Sequence, residues 1–186
     1  MRISGGGARG VRLKVPSGTR PAAERVRQAV FGSLGRRVHG ARVLDLFCGS
    51  GAYALEALSR GAVDATGVDR NSRAVSAARA NARAAGFEDH LTLVRKDASA
   101  FAGSDARRRG PFDLVFCDPP YGDEAGLPPL LTRLRTALVP QATVVVERRW
   151  TDDPAPSPSG YVLEADRRYG DTQVLIYRAR RGEGEG

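Results

Sequence analysis

Residues Val43–Ala62 read VLDLFCGSGAYALEALSRGA, and this stretch decides the fold. An apolar strand, Arg42–Phe47, runs into a glycine turn, and a helix of about residues 51–60 follows. Gly49 and Gly51 permit a tight backbone path and the close approach of a ligand. The spacing is not the G-x-G-x-x-G of a dinucleotide site, and the turn lacks the lysine of a phosphate-binding loop. Instead an acid, Asp45, precedes the glycines. That combination suits a ligand with a cationic or amino group near the turn rather than a pyrophosphate.

Outward from this unit, strands alternate with helices. Ala65–Asp69, Leu91–Lys96, Leu114–Cys117 and Thr143–Glu147 are further strand candidates, with helices at about 71–86 and 125–139. Such alternation implies a parallel sheet covered on both faces, because parallel strands need crossover connections. Tyr161–Arg168 and Thr172–Ala179 read as two closing strands joined at Tyr169-Gly170-Asp171. The expectation is an α/β, Rossmann-like, mostly parallel seven-stranded sheet over residues 41–179. Before it, residues 1–40 form a basic extension with a short strand, Val11–Val15, and a packing helix. Pro21 stands near that helix's first position, and Val26, Val30, Phe31 and Leu34 form its apolar stripe. Residues 180–186 read as a disordered tail.

The chain has 186 residues and a formal charge of +8. Residues 1–42 carry ten basic groups and one acid, Glu24, whereas the rest is nearly balanced. A local concentration of arginine beside a neutral domain suits a polyanion such as nucleic acid. The competing reading is a solvated arm in a chain where arginine is the general cation. No run of eighteen apolar residues suggests a membrane span, and the N-terminus lacks the apolar core of a signal peptide, which points to the cytoplasm. Cys48 and Cys117 read as reduced core residues lying near one another. His39 and His90 read as surface residues, and no ligand cluster suggests a metal.

The strand-ending acids share one pattern. Asp69 closes the second strand, where doubly wound sheets place an acceptor for ribose hydroxyls, and Asp97 closes the third. Asp118 follows the fourth in Asp118-Pro119-Pro120-Tyr121. The Asp118 side chain and the Pro119 carbonyl can accept hydrogens from an exocyclic amine, and Tyr121 can stack on a planar base. The prolines fix these acceptors in advance.

Asp45-x-Phe47-x-Gly49-Ser50-Gly51, Asp69, Asp97 and Asp118-Pro119-Pro120-Tyr121 resemble the ordered motifs of class I S-adenosylmethionine-dependent amino-methyltransferases. The stretches RISGG, TRPAAERVRQAVF, LDLFCGSGAYALEALSRGA and YGDT resemble, more narrowly, the bacterial RsmD family, which methylates guanine N2 in 16S ribosomal RNA. The likeness covers Arg2 to Tyr177. It implies S-adenosylmethionine as cofactor and S-adenosylhomocysteine as product, with 16S rRNA or the small ribosomal subunit as partner and a monomeric enzyme. Asp45, Phe47, Gly49, Ser50, Gly51, Asp69, Arg70, Asp97, Ala98 and Asp118 would line the cofactor site. Asp118, Pro119, Pro120 and Tyr121 would hold the flipped guanine. Arg9, Arg12, Lys14, Arg20, Arg25 and Arg27 would meet RNA phosphates. The chain departs from the family in Ala22-Ala23, where threonine is usual, and in Tyr53, where Ala or Gly is common.

Two other readings stay open on the residues. A DNA adenine-N6 or cytosine-N4 methyltransferase uses the same tetrapeptide, although this chain has little length for a target-recognition domain. A non-catalytic RNA-binding assembly factor could carry the fold. A C5-cytosine enzyme would need an attacking cysteine, and Cys117 lies inside a strand without the loop that such chemistry uses.

Overall fold

The computed structural model describes residues 1–15, 23–120, 122 and 124–180. Its strands are β1 Arg42–Leu46, β2 Asp64–Asp69, β3 Leu91–Arg95, β4 Phe112–Cys117, β5 Leu138–Arg149, β6 Tyr161–Tyr169 and β7 Thr172–Ala179. Helices are α1 Ala23–Leu34, α2 Ala52–Ser59, α3 Ser72–Ala85, α4 Ala98–Phe101, α5 Ser104–Arg109 and α6 Leu127–Leu134. The strands form one sheet in the order β3-β2-β1-β4-β5-β7-β6. β1 to β5 pair in parallel, and β7 runs antiparallel to both β5 and β6. This is the expected Rossmann-like sheet, with its reversal of strand order between β1 and β4.

Successive residues of a strand face opposite sides, and here both sides are covered. Val43, Leu114, Phe116, Val145 and Ile176 pack under α1 and α2. Leu44, Leu46, Val115, Cys117 and Val144 pack against α4, α5 and α6. Burial on both faces is why the middles of these strands are mostly apolar rather than alternating.

The structure differs from expectation in three elements. The segment Val11–Val15 does not form a strand; it makes a single antiparallel bridge between Arg2 and Arg12. The helix expected to reach residue 139 ends at Leu134, and β5 starts at Leu138, well before Thr143. Gln141 adopts a positive φ of 69° within β5, in the stretch between Leu138 and Thr143 where the register against β4 shifts. The short helices α4 and α5 were not expected.

The N-terminal segment is bound to the domain rather than loose on it. Ile3 and Leu13 are buried in the same core as α1, Val43 and Leu55. Gly6 has a φ of +75°, and a Cβ there would stand 1.6 Å from the carbonyl oxygen of Ser59, so only glycine fits. Beneath this segment lies Glu56, which is fully buried. It accepts from Ser4 N at 2.8 Å and Ser4 Oγ at 2.6 Å, and pairs with Arg60 at 2.8 Å and Arg27 at 3.4 Å. Burial alone would raise the Glu56 pKa. The Ser4 and Arg60 hydrogen bonds and the Arg27 charge outweigh that and hold it below its usual value. The stretch around Pro21 and Arg20 lies outside the described residues.

Candidate active site

β1 delivers the chain to the glycine turn at the C-terminal edge of the sheet. Phe47, Gly49 and Gly51 all have positive φ, of 59°, 52° and 76°. Three neighbours hold this turn. Cys48 N donates to Val68 O at 3.0 Å, and Gly49 N donates to Asp69 Oδ2 at 2.9 Å. From α3, Asn81 Nδ2 donates to Ser50 O at 2.9 Å. Asn81 also exchanges two 2.8 Å bonds with the backbone of Lys14, joining the N-terminal segment to the turn.

Parallel registry brings the expected acids to one edge. Leu46 lies opposite both Val68 and Cys117, so Asp69 and Asp118 each follow at the same level. Asp69 Oδ1 also accepts from Asn71 N at 2.8 Å. Asp97 caps α4, with its Oδ1 accepting from Ser99 N and Ala100 N at 2.9 and 3.1 Å. Ala98 is buried below it.

Two cavities meet at Phe47. One, of about 280 Å³, is lined by Phe47, Arg70, Asp97, Pro119, Leu127 and Leu130, among others. The other, of about 210 Å³, is lined by Arg27, Asp45, Gly49, Tyr53, Asp118 and Glu147, among others. Pro120 is exposed beside them. Tyr121 lies outside the described residues, so its expected stacking role has no structural counterpart here.

Asp45 is 3% exposed and accepts a 3.0 Å hydrogen bond from Ala54 N. Burial pushes its pKa up to about 8; the Ala54 bond opposes this, and the charges of Asp118, Asp69 and Glu147 add to it. Without a cation beside it, Asp45 is therefore largely protonated at neutral pH. An ordinary aspartate titrates near 3.8. Between that value and about 8 the folded protein keeps a proton that the unfolded chain releases, so stability falls as pH rises through this window. Asp45→Asn keeps an oxygen for Ala54 and removes the titration. Denaturant unfolding without cofactor should show the variant gaining on the wild type between about pH 5 and pH 8, by at least about 1.4 kcal/mol, the equivalent of one pKa unit. Parallel stability profiles would refute the assignment.

Both cysteines are buried with free thiols, and Cys48 lines the smaller cavity. Burial raises both thiols, and neighbouring carboxylates raise them further, so neither is a ready nucleophile.

Arg27 requires a correction. Its side chain is 1% exposed, donates to Arg2 O at 2.6 Å and pairs with Glu56, so it is a structural cation and not a phosphate contact. Arg9, Arg12, Lys14 and Arg25 are exposed, and Arg20 lies outside the described residues. The residue that the sequence reading missed is Glu147. It is 5% exposed on β5, beside Asp118, and accepts a hydrogen bond from the Tyr53 hydroxyl. It is one more acid near a strand end, on the strand next to β4.

Among the described residues, no helix is long and apolar enough to cross a membrane. Residues 1–178 match the family model described as "Conserved hypothetical protein 95". The chain is 33% identical over 190 residues to the ribosomal RNA small subunit methyltransferase D of Escherichia coli K12, covering 100% of this chain and 92% of that one. It superposes on the solved yhhF protein of Escherichia coli with a TM-score of 0.85 and 30% identity, over 97% and 98% of the two chains. A more distant structure, SMU.776 complexed with S-adenosylhomocysteine, shares the fold at a TM-score of 0.73 and 15% identity, over 87% of this chain and 50% of that one.

Proposed function

This chain belongs to the conserved hypothetical protein 95 family, the RsmD family of rRNA methyltransferases, and on that footing we propose that it transfers a methyl group from S-adenosylmethionine to the exocyclic N2 amine of a guanine in 16S ribosomal RNA. The observation that carries this reading is the junction of the two cavities. There Asp118 and Pro119 meet the glycine turn at the switch in strand order, the place where open α/β sheets bind ligands.

The residues fit the cofactor. Phe47, Leu127 and Leu130 offer apolar walls for an adenine, with Asp97 beside them for its amino group. Asp69 has lone pairs beyond those given to Gly49 and Asn71, since a carboxylate offers about four acceptor sites, and these suit ribose hydroxyls. Asp45 and the Gly49–Gly51 turn would hold the methionine part, where a positive charge favours the ionised form of Asp45. When bound, the cofactor supplies an electrophilic methyl on a sulfonium.

The protein's share of the reaction is orientation and electrostatics. Asp118 and the Pro119 carbonyl accept the amine hydrogens, which turns the nitrogen lone pair toward the cleft. Tyr121 would stack on the base. Arg9, Arg12, Lys14 and Arg25 offer charge to the RNA backbone, and that substrate implies work in the bacterial cytoplasm.

Incubation with methyl-labelled S-adenosylmethionine and naked 16S rRNA, small subunits or duplex DNA tests the reading. Label should appear in rRNA and hydrolyse to N2-methylguanosine. Label confined to adenine or cytosine of DNA would overturn the proposal.

A further inference from the structure

We propose that Glu147 reads the target base, its carboxylate accepting the N1–H of guanine while Asp118 takes the N2 amine; this rests on the guanine reading above. The argument begins with sheet registry. Phe116 lies opposite Asp45 on one side and Val145 on the other. Two residues further along their strands, Asp118 and Glu147 therefore emerge side by side on the same face, from strands about 4.8 Å apart. Both line the same cavity.

The Glu147 carboxylate is held rather than free to swing. Tyr53 donates its hydroxyl to Oε1. The Tyr53 ring is stacked on Phe116, with centroids 4.6 Å apart, and on Phe31 at 5.9 Å. A packed aromatic ladder thus fixes the donor, and the donor fixes the acid. A carboxylate offers about four acceptor sites, so the Tyr53 hydroxyl and a base N–H can share it.

Hydrogen-bond chemistry then selects the base. Guanine presents N1–H and the N2 amine as adjacent donors, a match for two neighbouring carboxylates. Adenine beside N6, and cytosine beside N4, present a ring nitrogen with a lone pair. A buried carboxylate facing that lone pair is repelled by it instead of accepting a hydrogen, which is costly. The same pair of acids therefore favours guanine over both bases used by DNA amino-methyltransferases.

The test uses the full-length protein and an RNA substrate with the nucleotide methylated by the wild type first mapped, then replaced by 2-aminopurine. That base keeps the C2 amine and lacks N1–H. The wild type should prefer guanine by about tenfold or more in kcat/KM, as for the loss of a hydrogen bond to a charged group. Glu147→Gln, whose amide can donate as well as accept, should bring the two substrates within about threefold. Tyr53→Phe should shift the ratio in the same direction by less, and supplies the measurement if Glu147→Gln is too slow. Cofactor affinity should not change. A wild-type ratio retained in both variants would overturn the assignment, and so would a tenfold loss of S-adenosylmethionine affinity in Glu147→Gln, which would place the acid at the cofactor. If the wild type methylates no guanine at all, the reading of the function fails instead.

Discussion

Replacing Asp118 by alanine should reduce kcat by about a hundred- to a thousand-fold, the scale seen when one preorganised polar contact to a reacting centre is removed. Asp118 follows the end of β4 and lines the smaller cavity, next to Pro119 in the wall of the larger one. Its acceptor is used when the amine must present a lone pair, so its loss should be felt in turnover more than in ground-state binding. Single-turnover methyl transfer together with calorimetric binding of S-adenosylmethionine separates the two. Turnover near the wild-type value, with the protein folded, would remove Asp118 from the chemistry.

The second large effect is on stability. Glu56→Ala should destabilise the fold by about 3–5 kcal/mol, because it leaves the buried Arg27 guanidinium without its anion. It also removes the acceptor for both Ser4 groups and for Arg60. Since the Glu56 pKa is held low, its contribution is present above the unfolded carboxylate range and is lost as pH falls through the folded value. Urea unfolding at neutral pH measures the loss directly. A change below about 1 kcal/mol would mean that Arg27 finds water or another acceptor when Glu56 is gone. Methyl transfer by the fraction still folded should survive, which distinguishes this variant from Asp118→Ala.

The architecture was legible because doubly buried strands cannot hide their composition. Leu114–Cys117 is an unbroken apolar run closed by Asp118, and Val43–Leu46 is apolar apart from the buried Asp45. Shorter elements left no such trace. α4 and α5 span four and six residues, too few for a helical period to repeat, and Pro140-Gln141 disguised the beginning of β5. Arg27 differs for another reason. It stands among the basic residues of the N-terminal extension, yet its spacing to Val30, Phe31 and Leu34 puts it on the apolar stripe of α1. Its partner Glu56 lies 29 positions away, and only tertiary structure joins them. Glu147 was overlooked because an acid on a strand gains meaning from its lateral neighbour, which is set by strand order and not by sequence distance.

The closing hairpin has a consequence for how copies of this chain treat one another. β6 ends the sheet, and a bare edge strand is a template on which foreign strands can polymerise. This edge exposes Val162 and Leu163, but the register slips between Leu163 and Ala165. Immediately beyond, Glu164 is clasped by Arg37 and Arg178, and Arg167 and Arg168 follow. An approaching strand would have to match the bulge and strip water from several charges. The hairpin thus finishes the sheet and guards it against growth into aggregates.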